Sequence, residues 1–207
     1  PHCMTIHIGL DTRKVLPPFM PVMRNEDGVF GAVKHVCFPH YLSAYLPYTI
    51  QHLPPEERPA PSLTEALSSP EMRVNDLMCQ LVLYAKPELK EAPSLKTLGE
   101  YLLEIASSSP DAFRQLVQAK AHQTRLNIIE YAQQQLAEYP DAPDYWIRGV
   151  HTYINSLKKP ADAFAPADLS GPFQERWVVF QDLVRQYAQL LMHWKTIFEA
   201  AKLLNSR

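Results

Sequence analysis

Residues 172–207 read PFQERWVVFQDLVRQYAQLLMHWKTIFEAAKLLNSR. Phe173, Trp177, Phe180, Val184, Tyr187, Leu191, Trp194, Phe198 and Ala201 succeed one another at steps of four and three, the spacing of one stripe on an α-helix. A second row, Val179, Leu183, Leu190, Ile197 and Leu204, runs beside the first and widens the apolar face. A strict two-position seam belongs to a plain coiled coil, whereas a wide face belongs to a helix pressed into a multi-helix core. Neither Pro nor Gly interrupts the run from Phe173 to Leu204, which at about 1.5 Å per residue predicts a helix roughly 50 Å long.

The same signals recur upstream. Ser94 precedes Leu95, Leu98, Leu102 and Ile105, an N-cap followed by a helical stripe, and Ser107-Ser108-Ser109 ends it. Ser109-Pro110-Asp111 is a second start signal, with a Ser cap, Pro at the first helical position and an acid in the first turn. It opens a long helix to about Tyr139 whose polar waist, Lys120 to Arg125, predicts burial of one side at both ends and a middle that is partly wet or in contact with something else. Asp144 to Leu157 reads as a shorter helix with Trp146, Val150, Tyr153, Ile154 and Leu157. Ser69-Pro70-Glu71 predicts an earlier helix start, and Pro87 its end.

The N-terminal quarter reads differently. Asp27-Gly28 is a hairpin signal, and Val29, Phe30, Val33, Val36, Cys37 and Phe38 are β-formers or small apolar residues, so Val29 to Phe38 is expected to be a strand. His40 to Leu53 is expected to form a helix bent at Pro47. Residues 54–61, with Pro54, Pro55, Pro59 and Pro61, predict a stiff extended connector. The expected architecture is therefore mainly all-α: a bundle of five to six helices over residues 62–207, a long C-terminal helix, and an N-terminal arm, residues 1–53, with short strands in a β-hairpin and one helix.

Composition bounds the function. The 207 residues carry 20 basic and 22 acidic side chains, a net charge of −2. No basic tail offers itself to a nucleic-acid backbone, so nucleic acid is not indicated by charge. No apolar run approaches the roughly 18 residues of a membrane span. Cys3, Cys37 and Cys79 are too few for a disulfide scaffold, and a cytoplasmic setting is expected. The six glycines are scattered, so no phosphate-binding loop exists, and no Glu-x-x-His pair supports a di-iron site.

Two constellations are candidates for chemistry. Six of the eleven His and Cys residues lie within the first 40 positions. His35 and Cys37, two apart on a strand, share a face; His40 follows, and His7 on a neighbouring strand completes a set of ligands for a zinc-like metal ion. The bland alternative is packing and surface histidines. His122, Arg125 and Glu130 in the waist of the long helix, with Trp146 and His151 on the next, are candidates to line a small-molecule pocket; the bland alternative is a solvated helix face. With no catalytic signature, the leading expectation is a non-catalytic interaction or regulatory subunit. Its partner would be another protein, and self-association is expected through the terminal helix. The alternative is an enzyme or sensor that uses one of these two constellations.

Overall fold

The computed structural model describes residues 9–42, 44, 72–89, 92–158 and 165–205. Among these residues all regular secondary structure is helical, with α1 at Glu26–Cys37, α2 at Val74–Leu89, α3 at Leu95–Ala106, α4 at Pro110–Glu138, α5 at Asp144–Leu157 and α6 at Phe173–Asn205. The helix bent at Pro47, the Pro-rich connector at 54–61 and the start signal at Ser69-Pro70 lie outside the described residues. No helix among the described residues is long and apolar enough to cross a membrane.

The C-terminal helix organises the core as its stripe predicts. Trp177, Phe180, Val184, Tyr187 and Leu191 are buried, while the second row grades outward, from half-buried Leu183 and Leu190 to exposed Val179, Ile197 and Leu204. α3 packs most extensively on α6. Their approach is close because Gly99 has no side chain: a Cβ there would sit 2.6 Å from the Ala188 carbonyl oxygen and 2.7 Å from Met192 Cγ. At the far end of α3, α6 supplies the cap. Gln181 Nε2 donates to the carbonyls of Ala106 (3.1 Å) and Ser108 (2.8 Å), and Arg185 Nη2 donates to Ala106 O at 2.8 Å. These bonds satisfy carbonyls that a helix end leaves orphaned.

The expected strand at Val29–Phe38 is a helix, and the β-hairpin is not formed. Val29, Phe30, Val33, Val36 and Cys37 recur at helical as well as β-compatible positions, and helical spacing buries Val29, Phe30, Val33 and Val36 together against α2. Glu26 and Asp27 stand in the first turn, where the helix dipole favours acids. Positive φ falls at Met23 (66°) and Asn25 (71°), upstream of Asp27-Gly28. Gly28 is required for a different reason: a Cβ there would strike the Asn25 side chain, whose amide donates to Asp76 Oδ1 of α2 at 2.8 Å. Val29, Ala32, Val33 and Val36 belong to the same buried core as α2, α3 and α6.

α2 begins at Val74, beyond the local start signal, and is capped from two sides: Asp168 Oδ1, remote in sequence, accepts from Val74 N at 2.9 Å, and Asp76 Oδ2, within the first turn, accepts from Arg73 N at 3.0 Å. It runs past Pro87 to Leu89. Ahead of α1, an extended segment lies along α6. Pro17, Pro18 and Met20 are buried, and Phe19 stacks on Phe30 at 4.4 Å. Tyr187 Oη donates to Pro18 O (3.2 Å), Trp194 Nε1 to Leu16 O (2.6 Å) and Lys202 Nζ to Arg13 O (3.0 Å).

α4 leaves part of its waist wet, at exposed His122 and Gln123, and packs the rest. Its buried residues are Phe113, Val117, Ala121 and Arg125, a stripe at steps of four, and beyond them Ala132. The first half therefore packs on the body, with Phe113 tilted on Phe180 at 5.6 Å and Lys120 lying 3.7 Å from Glu88 and over the Tyr84 ring. The second half, with α5 folded back on it, forms a helical hairpin in which α5 buries only Gly149, Ile154 and Leu157.

Candidate functional site

The proposed metal ligands do not converge among the described residues. On a helix, residues two apart point about 200° apart rather than to one face. Accordingly His35 is exposed and Cys37 is half-buried. His35 Nε2 lies 3.3 Å from Lys86 Nζ, so the neutral ring accepts from an ammonium, and that nitrogen faces a cation. Partial burial, Lys86 and Lys34 lower its pKa. Burial pushes the Cys37 thiol up to about 12, which keeps it protonated at neutral pH. Cys79, on α2, is pushed to about 12 by burial and by Asp76 and Asp27. His40 is exposed, and His7 lies outside the described residues. No group of three or more His, Cys, Asp or Glu among the described residues is arranged to hold a metal ion.

The small-molecule candidates differ in exposure. His122 and Glu130 are exposed on α4, and His151 is exposed on α5. Arg125 is buried, and burial lowers its pKa, although a guanidinium stays charged in proteins. Trp146 is half-buried at the start of α5 and lines a groove.

That groove sits at the tip of the α4–α5 hairpin. Its volume is about 490 Å³, within the range of small-ligand sites, but it is open to solvent. Glu138, Tyr139, Pro140, Asp141, Pro143 and Trp146 line it. The local sequence builds it directly. α4 ends where Tyr139 leaves helical backbone (φ −120°, ψ 65°), and its N–H closes on Gln135 O. Pro140 and Pro143 stiffen the turn, and Pro143 stands at the N-cap of α5, where a residue without an N–H loses nothing. Trp146 N then donates to Pro143 O at 2.8 Å, which seats the indole above the turn. Tyr131, Tyr139 and Tyr145 are exposed on the same hairpin, at 62%, 51% and 65%, together with Leu126.

The sequence around these rings is acidic between Arg125 and exposed Arg148. Residues 126–147 contain Glu130, Glu138, Asp141 and Asp144 and no Lys, Arg or His, a net charge of −4 in a chain whose total is −2. Sequence reasoning singled out Trp146 but not Tyr139, Glu138 or Asp141. The signal for them was the absence of any basic residue across those 22 positions. No family model matches this chain, and no curated protein and no solved structure matches it either.

Proposed function

We propose that this protein is a non-catalytic helical interaction or regulatory subunit, and that the α4–α5 hairpin engages another protein. The observation that carries this reading is the hairpin's exposed apolar and aromatic surface: Leu126, Tyr131, Tyr139 and Tyr145 stand exposed on two helices that bury little beyond Arg125. Tyr supplies large contact area at small conformational cost and is enriched at protein–protein interfaces. Self-association through α6 belongs to the same reading and is supported by the exposed outer row Val178, Val179 and Ile197.

The test places a photo-crosslinking amino acid at Tyr131 or Tyr145, and at exposed Gln189 on α6 as a control, in the full chain expressed in its own host. One defined protein crosslinked from the hairpin positions and not from Gln189 is the expected result. Crosslinking that is equal at all three positions, or absent from the hairpin, sinks the proposal. Sedimentation velocity across concentration tests the α6 contact. A purely monomeric chain, or a dimer unaffected by Val179→Lys with Ile197→Lys, refutes it.

A further inference from the structure

We infer that the groove at the tip of the α4–α5 hairpin receives an arginine side chain from a basic segment of a partner protein. The inference rests on the hairpin being the interaction element and adds the chemistry of what it binds. The lining combines two kinds of group in one turn. Tyr139 and Trp146 offer aromatic rings, and Pro140 and Pro143 offer further apolar surface. Glu138 and Asp141 stand in the same lining, with exposed Asp144 beside them. Apolar rings with carboxylates and no cation are complementary to a group that is flat, partly apolar and positive.

A guanidinium meets that description better than an ammonium. It stacks on aromatic faces and pairs with carboxylates in a bidentate fork, and its three-carbon stem can lie on proline and ring surface while the head stays wet. Charge complementarity extends past the groove. The net −4 of residues 126–147 attracts a segment with several basic residues, and an isolated Arg would gain only the groove contacts. The C-terminal end of α4 points its free carbonyls toward the same turn and favours a cation there. The N-terminal end of α5 opposes this, and Asp144 in its first turn offsets that opposition.

The experiment titrates the full chain into fluorescein-labelled dodecapeptides of alternating Gly-Arg, Gly-Lys and Gly-Glu, read by fluorescence anisotropy. The Gly-Arg peptide is expected to bind several-fold tighter than Gly-Lys, and Gly-Glu is expected not to bind. Glu138→Gln with Asp141→Asn and Asp144→Asn should weaken Gly-Arg binding by at least about tenfold, and Tyr139→Leu by about threefold. These positions are exposed, so folding is expected to persist, and a thermal melt checks it. Neutralising exposed Glu100 and Glu104 on α3 is the control for long-range charge and should leave binding unchanged. Equal binding of Gly-Arg and Gly-Lys, an equal loss from the α3 control, or no loss from the triple variant overturns the arginine groove. If the hairpin still crosslinks one defined protein while Gly-Arg fails to bind, the arginine inference falls and the interaction reading stands. If neither occurs, both fall.

Discussion

Gly99 is the residue on which the packing of the two principal helices turns. In a solvent-exposed helix, Gly→Ala gains roughly 1 kcal/mol of helix propensity. At position 99 the added carbon would meet a backbone carbonyl of α6 at 2.6 Å, and backbone cannot rotate away as a side-chain tip can. Overpacking of this kind costs about 1–3 kcal/mol or more, so it outweighs the gain. Gly99→Ala is expected to lower stability by about 2 kcal/mol and the melting temperature by about 5 °C, read by circular dichroism. A melting temperature that is unchanged or higher would mean that the helices have room there. His35 sets a second single-residue dependence. Its folded pKa lies below the ordinary value near 6.5, so the unfolded chain takes up a proton first as pH falls. The stability associated with neutral His35 beside Lys86 is therefore complete above about 6.5 and is lost as pH drops through the lower folded value. His35→Gln keeps an acceptor without a titration. Urea midpoints between about pH 7 and pH 5 should fall less steeply in that variant than in the parent protein, and parallel slopes would refute the assignment.

At the scale of elements, the segment ahead of α1 behaves as a strap. Its carbonyls at Leu16 and Pro18 accept from Trp194 and Tyr187 of α6, spaced two residues apart along extended chain and seven along the helix. Pro17 and Pro18 hold that chain extended before it docks, which lowers the entropy lost on docking. Trp194→Phe keeps most of the ring and removes the donor. Amides between Leu10 and Leu16 are expected to exchange about fivefold faster in that variant, corresponding to about 1 kcal/mol, while α1 and α2 amides hold their rates. No change at 10–16 would show that the bond contributes nothing. Which elements were legible follows from where their determinants lie. α3, α4, α5 and α6 could be read because Ser94, Ser109-Pro110, Pro143 and Pro172 are local stops and starts. α1 was misread because Val29, Val33 and Val36 are β-branched and Asp27-Gly28 imitates a hairpin turn, although their spacing of four and three also suits a helix. The start of α2 was only partly legible, since Asp76 caps Arg73 locally while the other cap, Asp168, is 94 residues away. The candidate site divides the same way. Trp146 could be singled out as an aromatic residue, but the burial of Arg125 depends on what lies across from α4, and no local pattern carries that.

At the scale of the whole molecule, burial is unevenly shared. α1, α2, α3, the first half of α4 and most of α6 contribute to one apolar core, with Trp177, Phe180 and Phe113 forming an aromatic cluster inside it. The second half of α4 and α5 bury only Ala132, Gly149, Ile154 and Leu157, and α5 packs principally on α4. Elements with few buried apolar contacts open at lower free energy than the core, and binding elements are commonly drawn from that end of the range. The hairpin is therefore expected to open before the body unfolds. Native-state hydrogen exchange should place the amides of residues 128–155 in one group, several kcal/mol below those of α3 and the middle of α6. Ile154→Ala truncates one of the two large buried side chains of α5, a loss of about 2–4 kcal/mol. That loss should fall almost wholly on the hairpin group, because the core does not depend on it. If the variant instead lowers the exchange free energy of α3 and α6 by the same amount, the hairpin and the body are one cooperative unit. The distinction bears on function. A hairpin that opens alone can reshape its tyrosine face and its acidic tip around a partner without disturbing Gly99 or the helices that meet there, whereas one locked to the core would have to bind as a rigid surface.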